Sequence, residues 1–263
     1  MALSSSARPI EGAVATVGVS DRVAFLRKTY AHLGVALIAF AALTGGILKF
    51  APKFSWGFSK WAFGGNFHFL AVLALFMIVG VVAQKLANSP TSKGVQYAGL
   101  GLAVTAEALL LQPLIWVLMI KFGNREMIGQ MFAHGDVTPM MSGMASSILL
   151  QSVVITLAIF IGLTLTVFLT KKDFSFMRGI LSICSFAVLG VILASLLFGF
   201  SLGAVFCGAV ILLMAGYILY QTSLVMAHFP PTGYVAASLM LFSTIATLFW
   251  YVLQLMMSLR SND

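Results

Sequence analysis

Three observations predict an all-α, polytopic integral membrane protein. Of 263 residues, 60% are hydrophobic and only 8% are charged, where a soluble domain carries about 25% charged residues. The stretch between residues 30 and 259 holds apolar runs for six or seven spans, each of the roughly 20 residues that a bilayer core takes. The 24 Gly and 7 Pro are spread along those runs and are not gathered into a linker or a low-complexity segment. A soluble enzyme or binding module is excluded, and no second soluble domain fits.

The elements follow in order. Residues 1–28 carry Arg8, Glu11, Asp21, Arg22, Arg27 and Lys28, with no apolar core and no plausible cleavage site. They read as a cytoplasmic tail, not a signal peptide. The membrane domain is residues 29–259, and its first span is residues 29–48, bounded by Arg27-Lys28 and by Lys49 with Pro52. The second, residues 67–86, follows Trp56, Trp61 and Phe63, which suit an interfacial aromatic belt. The third, residues 94–120, is long and holds Glu107, Gln112 and Pro113 at its middle, which predicts a helix that is tilted, kinked or broken. The fourth is residues 148–169, closed by Lys171-Lys172-Asp173. Only Gly199-Phe200-Ser201-Leu202-Gly203 separates the fifth span, residues 179–198, from the sixth, residues 202–226, so a tight helical hairpin is expected. No membrane helix can run through His228-Phe229-Pro230-Pro231-Thr232-Gly233, so the seventh span is residues 234–259, with residues 260–263 a short carboxyl tail.

The net charge of +8 comes from 15 Lys+Arg against 7 Asp+Glu. The basic residues stand at helix ends, where the positive-inside bias and anionic head groups explain them. No run of five Lys/Arg suggests nucleic acid, and none is expected as a partner. The amino tail and the second-third, fourth-fifth and sixth-seventh connections hold nine, Arg8, Arg22, Arg27, Lys28, Lys85, Lys93, Lys171, Lys172 and Arg178. The other side holds six, Lys49, Lys53, Lys60, Lys121, Arg125 and Arg260. The amino terminus is therefore expected in the cytoplasm. The carboxyl terminus falls outside unless the last segment is re-entrant.

Glu107 is the one carboxylate inside a span, and burying it there costs roughly 2.5 to 3.5 kcal/mol on insertion scales. It needs a partner, a proton or a function. Thr105, Gln112 and the carbonyl of residue 109 that Pro113 frees are its nearest sequence neighbours able to help. One reading is a protonated, hydrogen-bonded Glu at a kink; the other is an ion or proton pathway. Residues 199–203 match the G-x-S-x-G pattern of a hydrolase nucleophile elbow, but that motif needs a strand before it, and a turn of small residues explains it. His32, His68, His134 and His228 are isolated, and no His/Cys pair has metal-ligand spacing, so no metal and no cofactor is expected. Cys184 and Cys207 fall inside apolar runs as small hydrophobes. Met127, Met131, Met140 and Met141, near His134 and Asp136, carry thioethers that suit Cu(I), yet without a repeated M-x-x-M pattern they read as an amphipathic loop on the bilayer.

Residues 163–198, LTLTVFLTKKDFSFMRGILSICSFAVLGVILASLLF, resemble the central signature of the transmembrane Bax-inhibitor-motif family, including its bacterial members. Thr170-Lys171-Lys172-Asp173-Phe174-Ser175-Phe176 is the most specific part. Gly216-Tyr217-Ile218-Leu219-Tyr220 in the sixth span and Leu241-Phe242 with Leu248-Phe249 in the last resemble the family in order and spacing; Phe25-Leu26-Arg27-Lys28-Thr29-Tyr30 and residues 107–114 agree more loosely. The resemblance covers residues 22–259. It implies six helices around a central seventh and, in characterised members, a slow calcium leak gated by protons through a latch of two aspartates on the sixth and last spans. In this sequence the matching positions are Gln221 and Thr244. Neither titrates, so the resemblance implies a leak with impaired or absent di-aspartyl gating.

Two functions compete. The first is a calcium or proton leak around Glu107 in a bacterial inner membrane. The second is a non-conducting modulator in stress response that binds a membrane protease or another membrane protein through small-residue helix faces and its amino tail. No enzymatic activity is expected, an intramembrane hydrolase at Ser201 being the weakest reading.

Overall fold

The computed structural model describes residues 14–16, 18–90, 92–123, 141, 143–170 and 172–261. Seven helices in them are long and apolar enough to cross a membrane. They are α1 (Val19–Phe50), α3 (Asn66–Ala87), α4 (Lys93–Phe122), α5 (Met144–Thr170), α6 (Arg178–Phe198), α7 (Ala204–His228) and α8 (Tyr234–Arg260). A shorter helix, α2 (Pro52–Ala62), lies between the first two crossings. With seven long helices, the start of α1 and the end of α8 lie at opposite ends of the bundle, here called the near face, where α1 begins, and the far face. The last segment is one continuous helix of 27 residues, about 40 Å at 1.5 Å per residue, and is not re-entrant.

Burial sorts the helices. In α8 and α4, 72% and 67% of the most apolar stretch is buried inside the bundle, against 6% in α3. A helix apolar around its whole circumference belongs in a bundle centre, and α8 packs on α1, α3, α4, α5 and α7. The last helix is central, as the resemblance implied, with α4 beside it. Outer helices spend one stripe on the bundle and turn the rest to lipid. In α1 the stripe is Phe25, Thr29, Leu33, Ala36, Phe40, Thr44 and Leu48, at steps of three or four. Phe40 of α1 meets Phe242 and Phe249 of α8 edge-on, with centroids 5.8 and 6.4 Å away.

Small residues set the α3·α4 contact. Ala83 and Ala87 are the buried residues of α3, and they press on Gly99, where an added Cβ would stand 2.6 Å from the Ala83 carbonyl oxygen and 2.7 Å from the Ala87 nitrogen. Close backbone approach is what holds helices together in lipid, where apolar side chains gain little by leaving it. The hairpin between α6 and α7 turns at Gly199, whose φ of +73° is a left-handed helix cap. The chain stops at His228 and resumes at Tyr234, as the Pro230-Pro231 pair requires.

Several expectations are corrected. The helix of the first span begins at Val19, ten residues before residue 29, because the polar stretch expected as tail is helical where Phe25 is buried against Val14, Val225 and Ala237. The Val14 amide donates to the Phe229 carbonyl at 3.0 Å and Arg22 Nε to the Val14 carbonyl at 3.3 Å, strapping that segment to the near ends of α7 and α8. Trp61 and Phe63 are exposed as an aromatic belt would be, but Trp56 turns inward onto Trp116, with centroids 4.9 Å apart. Of the three alternatives for the third span, a break is excluded, since α4 is one helix through Pro113. Ser201, by contrast, lies exposed in the short connection between α6 and α7 with a helix before it, as expected of a turn of small residues. His134, Asp136, Met127, Met131 and Met140 lie outside the described residues.

Candidate functional site

Glu107 sits midway along α4 and is 8% exposed. Its carboxyl has no hydrogen bond or ion pair with any described residue. The neighbours expected to help do not reach it. Thr105 Oγ1 donates to the Gly101 carbonyl at 2.8 Å, and Gln112 Nε2 donates to the Ala108 carbonyl at 2.9 Å and the Thr44 carbonyl at 3.4 Å. The reason is helical phase. At 100° per residue, positions two before and five after Glu107 point about 160° and 140° away from it.

Gln112 belongs instead to a buried network at the far end of the bundle. Ser55 Oγ donates to Gln112 Oε1 at 2.7 Å and accepts from Trp116 Nε1 at 2.8 Å, while Ser59 Oγ donates to the Ser55 carbonyl at 2.7 Å. Every member is buried. The network fastens α2 to α4, which is why a short helix whose sequence reads as interfacial has a dry seryl face.

Glu107 lines a cavity of about 220 Å³ walled by α2, α3, α4, α6 and α8. Pro113 lines it too, and Thr247, Trp250 and Tyr251 complete the α8 wall. Those three residues, spaced i, i+3, i+4, share one helix face. They are the functional candidates that sequence reading missed; the spacing was visible, but nothing in a single sequence says that this face of α8 meets Glu107.

Gln221 and Thr244 are brought together: Thr244 Oγ1 donates to Gln221 Oε1 at 2.8 Å, and both side chains are buried. The contact lies seven residues inside the near end of α7 and ten inside that of α8, two to three turns from those helix ends. On α1, α5 and α7 the buried hydroxyls of Tyr30, Thr164 and Thr222 face one another, and none makes a hydrogen bond of good geometry. Glu107 and the Gln221·Thr244 contact are separate sites, since the cavity lining includes neither Gln221 nor Thr244.

At the near face, Lys93 Nζ donates to the Thr232 carbonyl at 2.9 Å and stands 4.4 Å from the centroid of the Tyr234 ring, closing the α7-α8 connection onto α4. His32 Nδ1 lies 2.7 Å from the Lys28 carbonyl and so carries a proton, which leaves Nε2, 2.9 Å from the Tyr97 hydroxyl, to accept from it in the neutral ring. Among the described residues no three His, Cys, Asp or Glu side chains gather as a metal site.

An all-α integral membrane protein with one acid in an aromatic-lined cavity and a neutral contact between its sixth and last spans is the class that fold and site define. A family model described as "Inhibitor of apoptosis-promoting Bax1" matches residues 132–262. Bax inhibitor 1 of Schizosaccharomyces pombe is 30% identical over 255 residues, covering 95% of this chain and 82% of that protein. The chain belongs to the Bax inhibitor family. An uncharacterized protein of Pseudomonas aeruginosa is 31% identical over 143 residues, 53% of this chain and 63% of that protein. An uncharacterized membrane protein of Vibrio cholerae is 29% identical over 121 residues, 44% of this chain and 52% of that protein. No solved structure matches the chain.

Proposed function

We propose that the protein is a cation leak pathway of a bacterial inner membrane, its amino terminus cytoplasmic, in which Glu107 is the ion-binding group and no carboxylate pair gates the path. The observation that carries this reading is the Glu107 carboxyl itself, 8% exposed, midway along a central helix, and lining a cavity with no described partner. A structural acid would be expected to hold hydrogen bonds from its own helix or a neighbour, because an unpaired polar group in hydrocarbon is costly.

Of the two ions considered, the proton is the one this geometry favours. Calcium takes six to eight oxygen ligands, and among the described residues the side chains lining the cavity offer oxygens only from Glu107, Thr247 and Tyr251. A proton needs one. The Gln221·Thr244 contact then acts as a fixed neutral clamp between α7 and α8, in place of a titrating latch.

The test is ion flux into liposomes of purified protein, followed with a proton dye and a calcium dye, for the parent and Glu107→Gln. A proton flux that falls in the variant supports the reading. A parent silent to both ions would favour the non-conducting modulator, whose partner, a membrane protease or another membrane protein, would then be sought by co-purification.

A further inference from the structure

We infer that the Glu107 cavity binds a lipophilic ammonium ion, a single cationic nitrogen with apolar substituents, in exchange for a proton. The inference rests on the reading of Glu107 as a cation-accessible carboxyl and names the kind of cation that fits its surroundings.

The walls decide the chemistry. Phe76, Trp250 and Tyr251 present aromatic rings to the same cavity as the carboxyl, with Phe63 and Phe69 nearby. Aromatic faces attract cations, Trp most strongly, and do so best where water is excluded. A hard metal ion cannot give up its water to rings and one carboxylate. A substituted ammonium has little hydration to lose, fits a space of about 220 Å³ as a small aryl or alkyl ammonium, and needs only one counter-charge.

Access also favours an amphiphile. α3 and α6 are tied at the far end, where Asn66 Nδ2 donates to the Leu196 carbonyl at 2.7 Å, and otherwise make little contact. The α3 residues Phe69, Val72, Leu73 and Phe76 that line the cavity are partly exposed on the flank of α3. A molecule dissolved in the bilayer can therefore reach Glu107 sideways, carrying its charge from lipid to carboxylate without crossing the bundle.

The exchange balances. A protonated Glu107 releases its proton to water as the ammonium enters, leaving a carboxylate paired with the cation; no other bond changes. Among the described residues facing Glu107 in the cavity, Tyr251 of α8 is the one other titratable side chain, with Cys207 of α7 behind it; the lining residues of α2, α3 and α6 carry none.

The probe is benzyltrimethylammonium, titrated calorimetrically into the purified full chain in nanodiscs, in two buffers of different ionisation enthalpy. The expected result at pH values where Glu107 is protonated is saturable binding with one proton released, and an apparent affinity that falls about tenfold for each pH unit lowered. Glu107→Gln should weaken binding about tenfold or more and abolish the proton release. Neopentylbenzene, the uncharged carbon isostere, is tested on the parent, so the result does not depend on a variant that folds. Equal affinity for the isostere, proton release that survives Glu107→Gln, or no binding of the probe would each overturn the inference. Liposome flux on the same preparations separates the two readings. Flux that depends on Glu107 without probe binding sinks this inference and keeps the leak, whereas probe binding without flux sinks the leak alone.

Discussion

Thr244 and Gln221 are joined across α7 and α8 by one hydrogen bond of 2.8 Å in which the hydroxyl donates and the amide oxygen accepts. Neither group gains or loses a proton between pH 4 and pH 9, so the contact has the same strength across that range.

The first prediction follows from that neutrality. Helix separation between α7 and α8, read from spin labels at their near ends, should not change in the parent between about pH 6 and pH 8. The double variant Gln221→Asp with Thr244→Asp should change. Two carboxyls in contact raise one pKa, so they share a proton and stay together at low pH and repel once both ionise as pH rises. The sign is therefore closed in acid and open in base. A parent that opens with pH would show that another group is the sensor.

Glu107→Gln should leave the fold intact. The carboxyl holds no described partner, so its loss breaks no hydrogen bond, and the amide has nearly the same volume. Thermal unfolding in detergent should move by less than about 1 kcal/mol equivalent, while flux falls. A large loss of stability would assign Glu107 a structural role.

Ser55→Ala is predicted to destabilise strongly for so small a change. Removing one hydroxyl strands both Gln112 Oε1 and Trp116 Nε1 in a buried site, at about 1 to 3 kcal/mol for each orphaned group. Trp fluorescence should report it directly, since the Trp116 indole loses its acceptor.

At the α3·α4 seam, Gly99→Ala should cost about 1 to 3 kcal/mol by overpacking, because the atoms in the way are backbone and cannot rotate aside. Gly101→Ala, two residues on with nothing within 4 Å, is the control and should be neutral or slightly stabilising. Equal effects at the two positions would mean that α3 does not dock on Gly99.

Thr222→Val tests the near-end hydroxyl cluster. Thr222 is 1% exposed and its hydroxyl has no hydrogen bond, so an apolar side chain of the same shape should be neutral or stabilising by up to about 1 kcal/mol in a melting experiment. A marked loss of stability would show that the hydroxyl is paired.

Much of the architecture was legible before any coordinates. The crossing helices, the turn at Gly199 and the stop before Tyr234 follow from local chemistry: apolar length, a residue free to take positive φ, and two prolines in a row. So does the singling out of Glu107, because a carboxyl in an apolar run is costly wherever the run ends up. Gln221 and Thr244 were legible as a pair only through the family resemblance, being 23 residues apart on different helices. What hid from the sequence is what depends on rotation about helix axes. Thr105 and Gln112 stand close to Glu107 along the chain and face away from it, and Trp56 reads as a belt residue until Trp116 is seen beside it.

The sequence by itself determined that this chain lives in a bilayer, where it crosses, and that one acid is buried there, since water, hydrocarbon and the backbone's need for hydrogen bonds act on each segment separately. Only the tertiary structure decided that α4 joins α8 at the centre, that α2 docks by its serines, and that Glu107 faces Thr247, Trp250 and Tyr251 instead of its own neighbours. In lipid every apolar face is equally soluble, so hydrophobicity cannot choose which face turns inward. Close packing at Gly99 and paired polar groups such as Ser55 with Gln112 make that choice, and both exist only once two helices meet.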